Sequence, residues 1–185
     1  MPLPKKEYPS KETLDALFSY DPENGILTWK GRPETSPEIK TWNKRFAGKR
    51  AGTLRSAGPL GSSGLAVKIS REGFVVHRII YLMQTGHLPD QVDHIDRNPL
   101  NNKWSNLRAC SHSENMQNRG VRKDNKLKYP GVFRQYRSGA KPYRAQIQID
   151  NRRISLGYSD TPEGAYALYV AAKASLHNFH PSAPR

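Results

Sequence analysis

"VDHIDRNPLNNKWSNLRACSHSENMQNRG", residues 92–120, holds two Asp, two His and six Asn. A core strand or helix would strand that many carboxylate, amide and imidazole groups without partners. A surface loop tolerates them, because Asn and Asp hydrogen-bond the main chain two residues on and so build turns. The run therefore reads either as an Asx-rich loop with a satisfied histidine or as a site. If Asp93 and His94 sit on a strand, they point to opposite faces. One can then hold a hard cation while the other faces an attacking water, and phosphodiester hydrolysis needs both. A carboxylate with an amide oxygen suits Mg²⁺ or Mn²⁺ better than zinc. Ser111 and Glu114 have capping-box spacing. The helix they start carries Asn115 in its first turn, where its amide oxygen can turn back towards Asp93.

The rest of the chain supplies a substrate. Its 185 residues leave room for one ordinary domain or two small ones. There are 30 Lys and Arg against 16 Asp and Glu, a net charge of +14 that attracts a polyanion, most commonly nucleic acid. Mean hydropathy is −0.79. With no long apolar run and no basic amphipathic helix, a membrane protein is not expected. The start "MPLPKKEYPS" does not read as a signal peptide. Cys110 is the single cysteine, which excludes an intramolecular disulfide partner and a zinc site built on paired Cys. The expectation is a soluble, cytoplasmic protein. Charge is concentrated in residues 119–153, with eleven Lys and Arg against two Asp.

In the N-terminal half, Ser10 caps a short helix with Leu14, Leu17 and Phe18 on one face. "DPENG" reads as a turn and "ILTWK" as a strand. "TSPEIKTWNKRFAG", residues 35–48, is ambiguous and reads as a loop covering a core. "KRAGTLR", "LAVKIS" and "FVVHRII" are short β-type runs, with "REG" as a hairpin turn between the last two. "HRIIYLMQTG" continues as a helix ending at Gly86, and "HLPDQVDHID" returns as a strand. "NPLNNKWSNLRAC" is expected as a loop anchored by Trp104 and Leu107.

The C-terminal third alternates differently. "GVFRQY", "YRAQIQID" and "RRISLGYS" are three β-runs joined by the turns "RSGAKP" and "DN". "DTPEGAYALYVAAKASLH" follows as a helix capped at Asp160 or Thr161, with Pro162 in its first turn. Ala165, Leu168, Ala172 and Leu176 form a small-residue stripe that can lie on a sheet. A three-stranded antiparallel sheet covered by one helix leaves its other face open. Arg134, Arg137, Lys141, Arg144, Gln146, Gln148, Arg152 and Arg153 belong to that sheet or its turns. Such a face either enters a DNA groove or is merely solvated.

"VHRIIYLMQTGHLPDQVDHIDRNPLNNKWSNLRACSHSENMQN" closely resembles the HNH nucleases of phages, many of which are homing endonucleases. His77-Arg78 at a helix start, Asp-His-x-Asp, Asn-Asn, Asn-Leu-Arg and Glu-Asn carry the resemblance, over about residues 76–118. It implies a ββα-metal fold in which two strands and a helix grip one divalent ion. By the resemblance Asp93 is a metal ligand, His94 the general base, Asn106 the brace of the loop and Asn115 the second metal ligand. Asn115 stands where other branches place His. His112 reads as a first-turn helix residue and an auxiliary ligand candidate. His77 reads as structural or a phosphate contact, with Arg78 beside it as a further auxiliary.

"YPGVFRQYRSGAKPYRAQIQIDNRRISLGYSDTPEGAYALYVAAKASLHNF" in turn resembles the DNA-binding domain of plant APETALA-two and ethylene-response-factor (ERF) proteins. Gly131-Val132, Tyr143-Arg144-Ala145 (the family usually has Trp at the first place), Leu156-Gly157 and Thr161 carry the likeness. The likeness implies that the sheet, Tyr143 included, reads the major groove. The expected architecture is α+β: a ββα-metal nuclease domain with an N-terminal extension in residues 1–118, a basic linker in 119–128 and the ERF-like sheet and helix in 129–185. The expected activity is site-directed cleavage of double-stranded DNA with one Mg²⁺ or Mn²⁺ per active site. A phage homing enzyme working in the host cytoplasm fits this. The rivals are a non-catalytic DNA-binding regulator that keeps the HNH fold, and a general DNase, which would need no reading sheet.

Overall fold

The computed structural model describes residues 6–55, 64–118, 121, 125–135, 141–149 and 152–177. Elements are mixed helix and strand, an α+β chain, and they form two compact units, Met1–Ala109 and Cys110–Arg185. The division falls before the helix that carries Asn115, whereas the sequence reading grouped that helix with the strands preceding it.

In the first unit, α1 (Lys11–Leu17) starts where Ser10 Oγ accepts the Thr13 N–H. The expected helical face of Leu14, Leu17 and Phe18 stops one residue early. Phe18 opens β1 (Phe18–Asp21), which pairs antiparallel with β2 (Ile26–Trp29) and sets Phe18 opposite Trp29. Their rings pack at 4.4 Å, tilted by 38°, a large apolar contact that favours the strand. In the turn between them Asp21 accepts the Glu23 and Asn24 N–H groups. Gly25 there has φ +68°, and a Cβ on it would overlap the Asn102–Lys103 peptide. Glycine is required at that position on both counts.

Residues 35–48, read as a loop, instead form α2 (Pro37–Phe46), with Ser36 accepting the Ile39 N–H and Pro37 in the first turn. Trp42 and Phe46, one turn apart, pack against Trp29. β3 (Thr53–Arg55), β4 (Gly64–Ile69) and β5 (Glu72–Val75) make an antiparallel sheet in that order. The β-run expected through Ile80 ends at Val75, and α3 (Val76–Thr85) begins there and stops on Gly86, φ +75°. Leu14, Phe18, Leu27, Val67, Phe74, Val76, Ile79 and Ile80 form one core under these elements. β6 (Gln91–His94) pairs with β7 (Leu107–Cys110). The second strand and the 3₁₀ turn Trp104–Asn106 replace the end of the loop expected over residues 98–110.

The second unit opens with α4 (His112–Asn118). Its capping box is closed: the Ser111 N–H donates to Glu114 Oε2 at 2.7 Å, and the Glu114 N–H to Ser111 Oγ at 3.2 Å. β8 (Val132–Arg134), β9 (Tyr143–Ile149) and β10 (Arg152–Ser159) form an antiparallel sheet in the order β10-β9-β8. α5 (Pro162–Leu176) covers one side, its Thr161 cap accepting the Gly164 N–H. The buried centre is Val132, Ala145 and Ala165. The helix is rotated from the expected stripe. Leu168 and Leu176 are exposed, and Tyr169 lies over Gly131, whose missing Cβ makes the room. Among the described residues no helix is long and apolar enough to cross a membrane.

Candidate active site

Asp93 and His94 end β6 and are both buried, 9% and 7% exposed. They take different partners. Asp93 Oδ2 accepts from Arg108 Nε at 3.2 Å and from Nη2 at 3.0 Å, across to β7. Each of these charges, buried alone, would be uncompensated, so the pair fixes the carboxylate in place. His94 Nε2 lies 2.9 Å from Asn102 Oδ1. An amide oxygen only accepts, so Nε2 carries the proton and the lone pair of the neutral ring is on Nδ1.

The loop from β6 to β7 is held by its own side chains. The Asp96 N–H donates to Asn106 Oδ1 at 3.0 Å, while Asn106 Nδ2 donates to Asp96 Oδ1 at 2.9 Å and to the Asn101 carbonyl at 2.7 Å. Asn101 Nδ2 and the Asn98 N–H also donate to the Asp96 carboxylate. Burial acts to raise the Asp96 carboxyl, but these hydrogen bonds outweigh it and hold it below its ordinary value. Asn98, Asn101 and Asn106 are thus the framework of this loop. Asn102 is the exception, its oxygen turned to His94.

His77, on α3, meets His94 edge-on with ring centroids 4.8 Å apart. Burial first, then the His94 and Arg78 charges, push His77 down to about 3, so it stays neutral at physiological pH. The unfolded chain takes up this proton near pH 6.5, and the folded one refuses it until about pH 3. The contribution is complete above pH 6.5 and is lost as pH falls through that window. His77→Gln should therefore make the thermal midpoint less sensitive to pH between those limits than the wild type, as melting at a series of pH values will show. Arg78 is turned to structure: its guanidinium donates to the Pro89 and Asp90 carbonyls at 3.1 and 3.0 Å, tying α3 to the approach of β6.

Asn115 and His112 lie on α4 in the second unit, Asn115 half-buried and His112 exposed. Among the described residues no group of three or more His, Cys, Asp and Glu is placed to hold a metal ion. No closed cage for a transition metal is built from them. The hard donor of the first unit, the fixed buried carboxylate of Asp93, fits an ion that keeps most of its shell for water and phosphate, as Mg²⁺ or Mn²⁺ does.

In the C-terminal sheet the register sorts the remaining candidates. Phe133, Arg144 and Tyr158 form one rung, Gln146 and Ser155 a second, Gln148 and Arg153 a third. These share the face turned away from α5. Arg144 Nη2 hydrogen-bonds Gln146 Oε1 along it. Arg134, Tyr143 and Arg152 alternate to the helix side: Tyr143 packs on the small core, and both arginines are exposed at strand ends. Lys141 lies 3.7 Å from Asp160, and Arg137 falls outside the described residues. The sequence reading missed the two aromatics flanking Arg144, Phe133 and Tyr158, which are 47% and 46% exposed. It also missed Arg108 and Asn102.

Residues 74–117 match the family described as HNH endonuclease. A similar curated protein is an uncharacterized HNH endonuclease, L560, of Acanthamoeba polyphaga mimivirus, 40% identical over 70 residues. The aligned part is 36% of this chain and 37% of the relative, so the chain spans little more than a third of the length of the protein it matches. No solved structure matches. The matched span contains α3, β6, β7 and the loop between the two strands.

Proposed function

We propose that this chain is a divalent-metal-dependent endonuclease acting on double-stranded DNA, with a ββα-metal centre. The observation that carries the reading is His94: buried, with its Nε2 proton given to Asn102, it presents Nδ1 as a base beside the fixed carboxylate of Asp93. Asp93 and Asn115, spaced as the resemblance requires, would hold the ion. When bound, Mg²⁺ or Mn²⁺ supplies Lewis-acid stabilisation of the phosphate and the leaving oxygen. Asn106 closes the loop that carries the base. Residues 1–118 form the nuclease part, 119–128 a basic linker and 129–185 an ERF-like module. The phage homing role and host cytoplasm rest on the resemblance alone. Purified protein should relax or linearise supercoiled plasmid with Mg²⁺ and stop when EDTA is added. Tight DNA binding without any cleavage would make it a regulator instead.

Site selection falls to the open sheet face. Arg144, flanked by Phe133 and Tyr158, is the base reader, and Arg153, beside the β9–β10 turn, a phosphate contact. Arg144→Ala should then cost roughly 1–3 kcal/mol on the target and far less on random duplex. Arg153→Ala should weaken both alike and flatten the slope of log affinity against log salt by about 0.9. Titrations on both duplexes at several salt concentrations separate the two. Unchanged affinity in both variants would leave the face merely solvated.

A further inference from the structure

Away from His94, the first unit holds a groove of about 740 Å³ that none of these roles uses. One wall is aromatic: Trp29 on β2 with Trp42 and Phe46 on α2. The other is the outer face of the β3-β4-β5 sheet. Register places Thr53 beside Ala66, Arg55 beside Gly64 and Lys68 beside Gly73 on that face, while Val67 and Phe74 turn into the core. Small residues keep the face low and leave Arg55 and Lys68 standing from it. Arg32 and Arg50 complete the lining, and among the described residues no Asp or Glu contributes to it.

Arg32 is held ready. Its guanidinium lies 3.9 Å from the centre of the Trp42 ring. The Arg32 backbone N–H donates to Asn43 Oδ1 at 2.9 Å, and Asn43 Nδ2 donates back to the Arg32 carbonyl at 2.7 Å, which fixes the main chain beneath it. An exposed arginine otherwise loses rotamer freedom on binding, and here part of that ordering is done in advance. Four cations around one groove repel each other until a polyanion joins them. Because Arg32 covers Trp42, the groove is better suited to a backbone than to a stacked base. Guanidinium groups match phosphate oxygens in pairs.

We propose that this groove grips the phosphodiester backbone of duplex DNA, giving the unit that contains His94 its own anchor, separate from the C-terminal sheet. The proposal rests on the nuclease reading. Its test uses the full-length chain and a short fluorescent duplex, titrated between about 50 and 200 mM salt. Arg55→Ala combined with Lys68→Ala should flatten the salt slope by about 1.8, 0.9 for each contact, on target and random duplex alike. Both side chains are exposed, so the melting temperature should not move. Lys40→Ala with Lys44→Ala removes the same charge from exposed positions of α2 outside the groove, and should leave the slope unchanged. An equal loss in that control, or no loss in the groove variant, overturns the proposal while DNA binding by the wild type stands. A wild type that binds an acidic polypeptide but no duplex would instead sink the nuclease reading.

Discussion

Replacing His94 by Ala is expected to slow plasmid cleavage by about 10²–10⁴-fold, the usual contribution of a positioned general base. Duplex affinity should stay near wild type, because a side chain 7% exposed can add little to DNA contact. The imidazole packs against His77 at 4.8 Å, so Ala leaves a gap there. His94→Gln fills most of that space without a usable base, and should be as slow as Ala but better folded. Any acid limb of the wild-type rate profile that belongs to a general base at this position should vanish in both variants. Cleavage by His94→Ala at the wild-type rate would remove the base from this residue and return the Asn run to a structural loop.

The parts of the fold legible in the sequence are those with local chemistry. Ser10, Ser111 with Glu114, and Thr161 each cap the helix their spacing announces. The β8-β9-β10 order follows from three alternating runs and their turns. What was missed depends on distant partners. Leu14, Leu17 and Phe18 obey helical spacing, but Trp29, eleven residues later, draws Phe18 into a strand. In α2 Trp42 and Phe46 pack on the core between Lys, Thr and Arg, so the stretch looks like a loop until the aromatic wall is assembled. "LRAC" becomes a strand because β6 lies beside it. Asp93 and His94 stand out in the sequence as a pair; their partners do not. Arg108 is one Arg of many until β7 forms, and Asn102 differs from Asn101 only in which way its side chain turns.

That turn carries the second large effect. Asn102 is 2% exposed, its Oδ1 on His94 Nε2 and its carbonyl accepting the Tyr20 hydroxyl at 2.8 Å. Burial, followed by the Asp21 charge, pushes the Tyr20 phenol up, so it remains a donor across the working range. Beside it the Trp104 N–H donates to the Pro22 carbonyl at 3.0 Å, and Gly25 fits against the Asn102–Lys103 peptide. The β1–β2 hairpin, outside the family match, thus clamps the residue that sets the tautomer of His94. Asn102 Nδ2 is buried with no hydrogen-bond partner among the described residues. Such an orphan costs roughly 1–3 kcal/mol, so the amide is kept here for its oxygen. Asn102→Leu removes both the orphan and the acceptor at similar volume. Stability should change little, while the ring loses its fixed tautomer and cleavage falls by about 10²-fold at every pH, as for a misplaced catalytic group. Asn102→Asp keeps an acceptor but adds a negative charge that favours the protonated ring. Its rate should be low at neutral pH and recover as pH rises, the acid limb having moved upward. A merely structural Asn102 would move the melting temperature and leave the profile where it was. Wild-type turnover by Asn102→Leu across the pH range would detach the hairpin from the chemistry, and His94 would then be oriented by β6 and His77 alone.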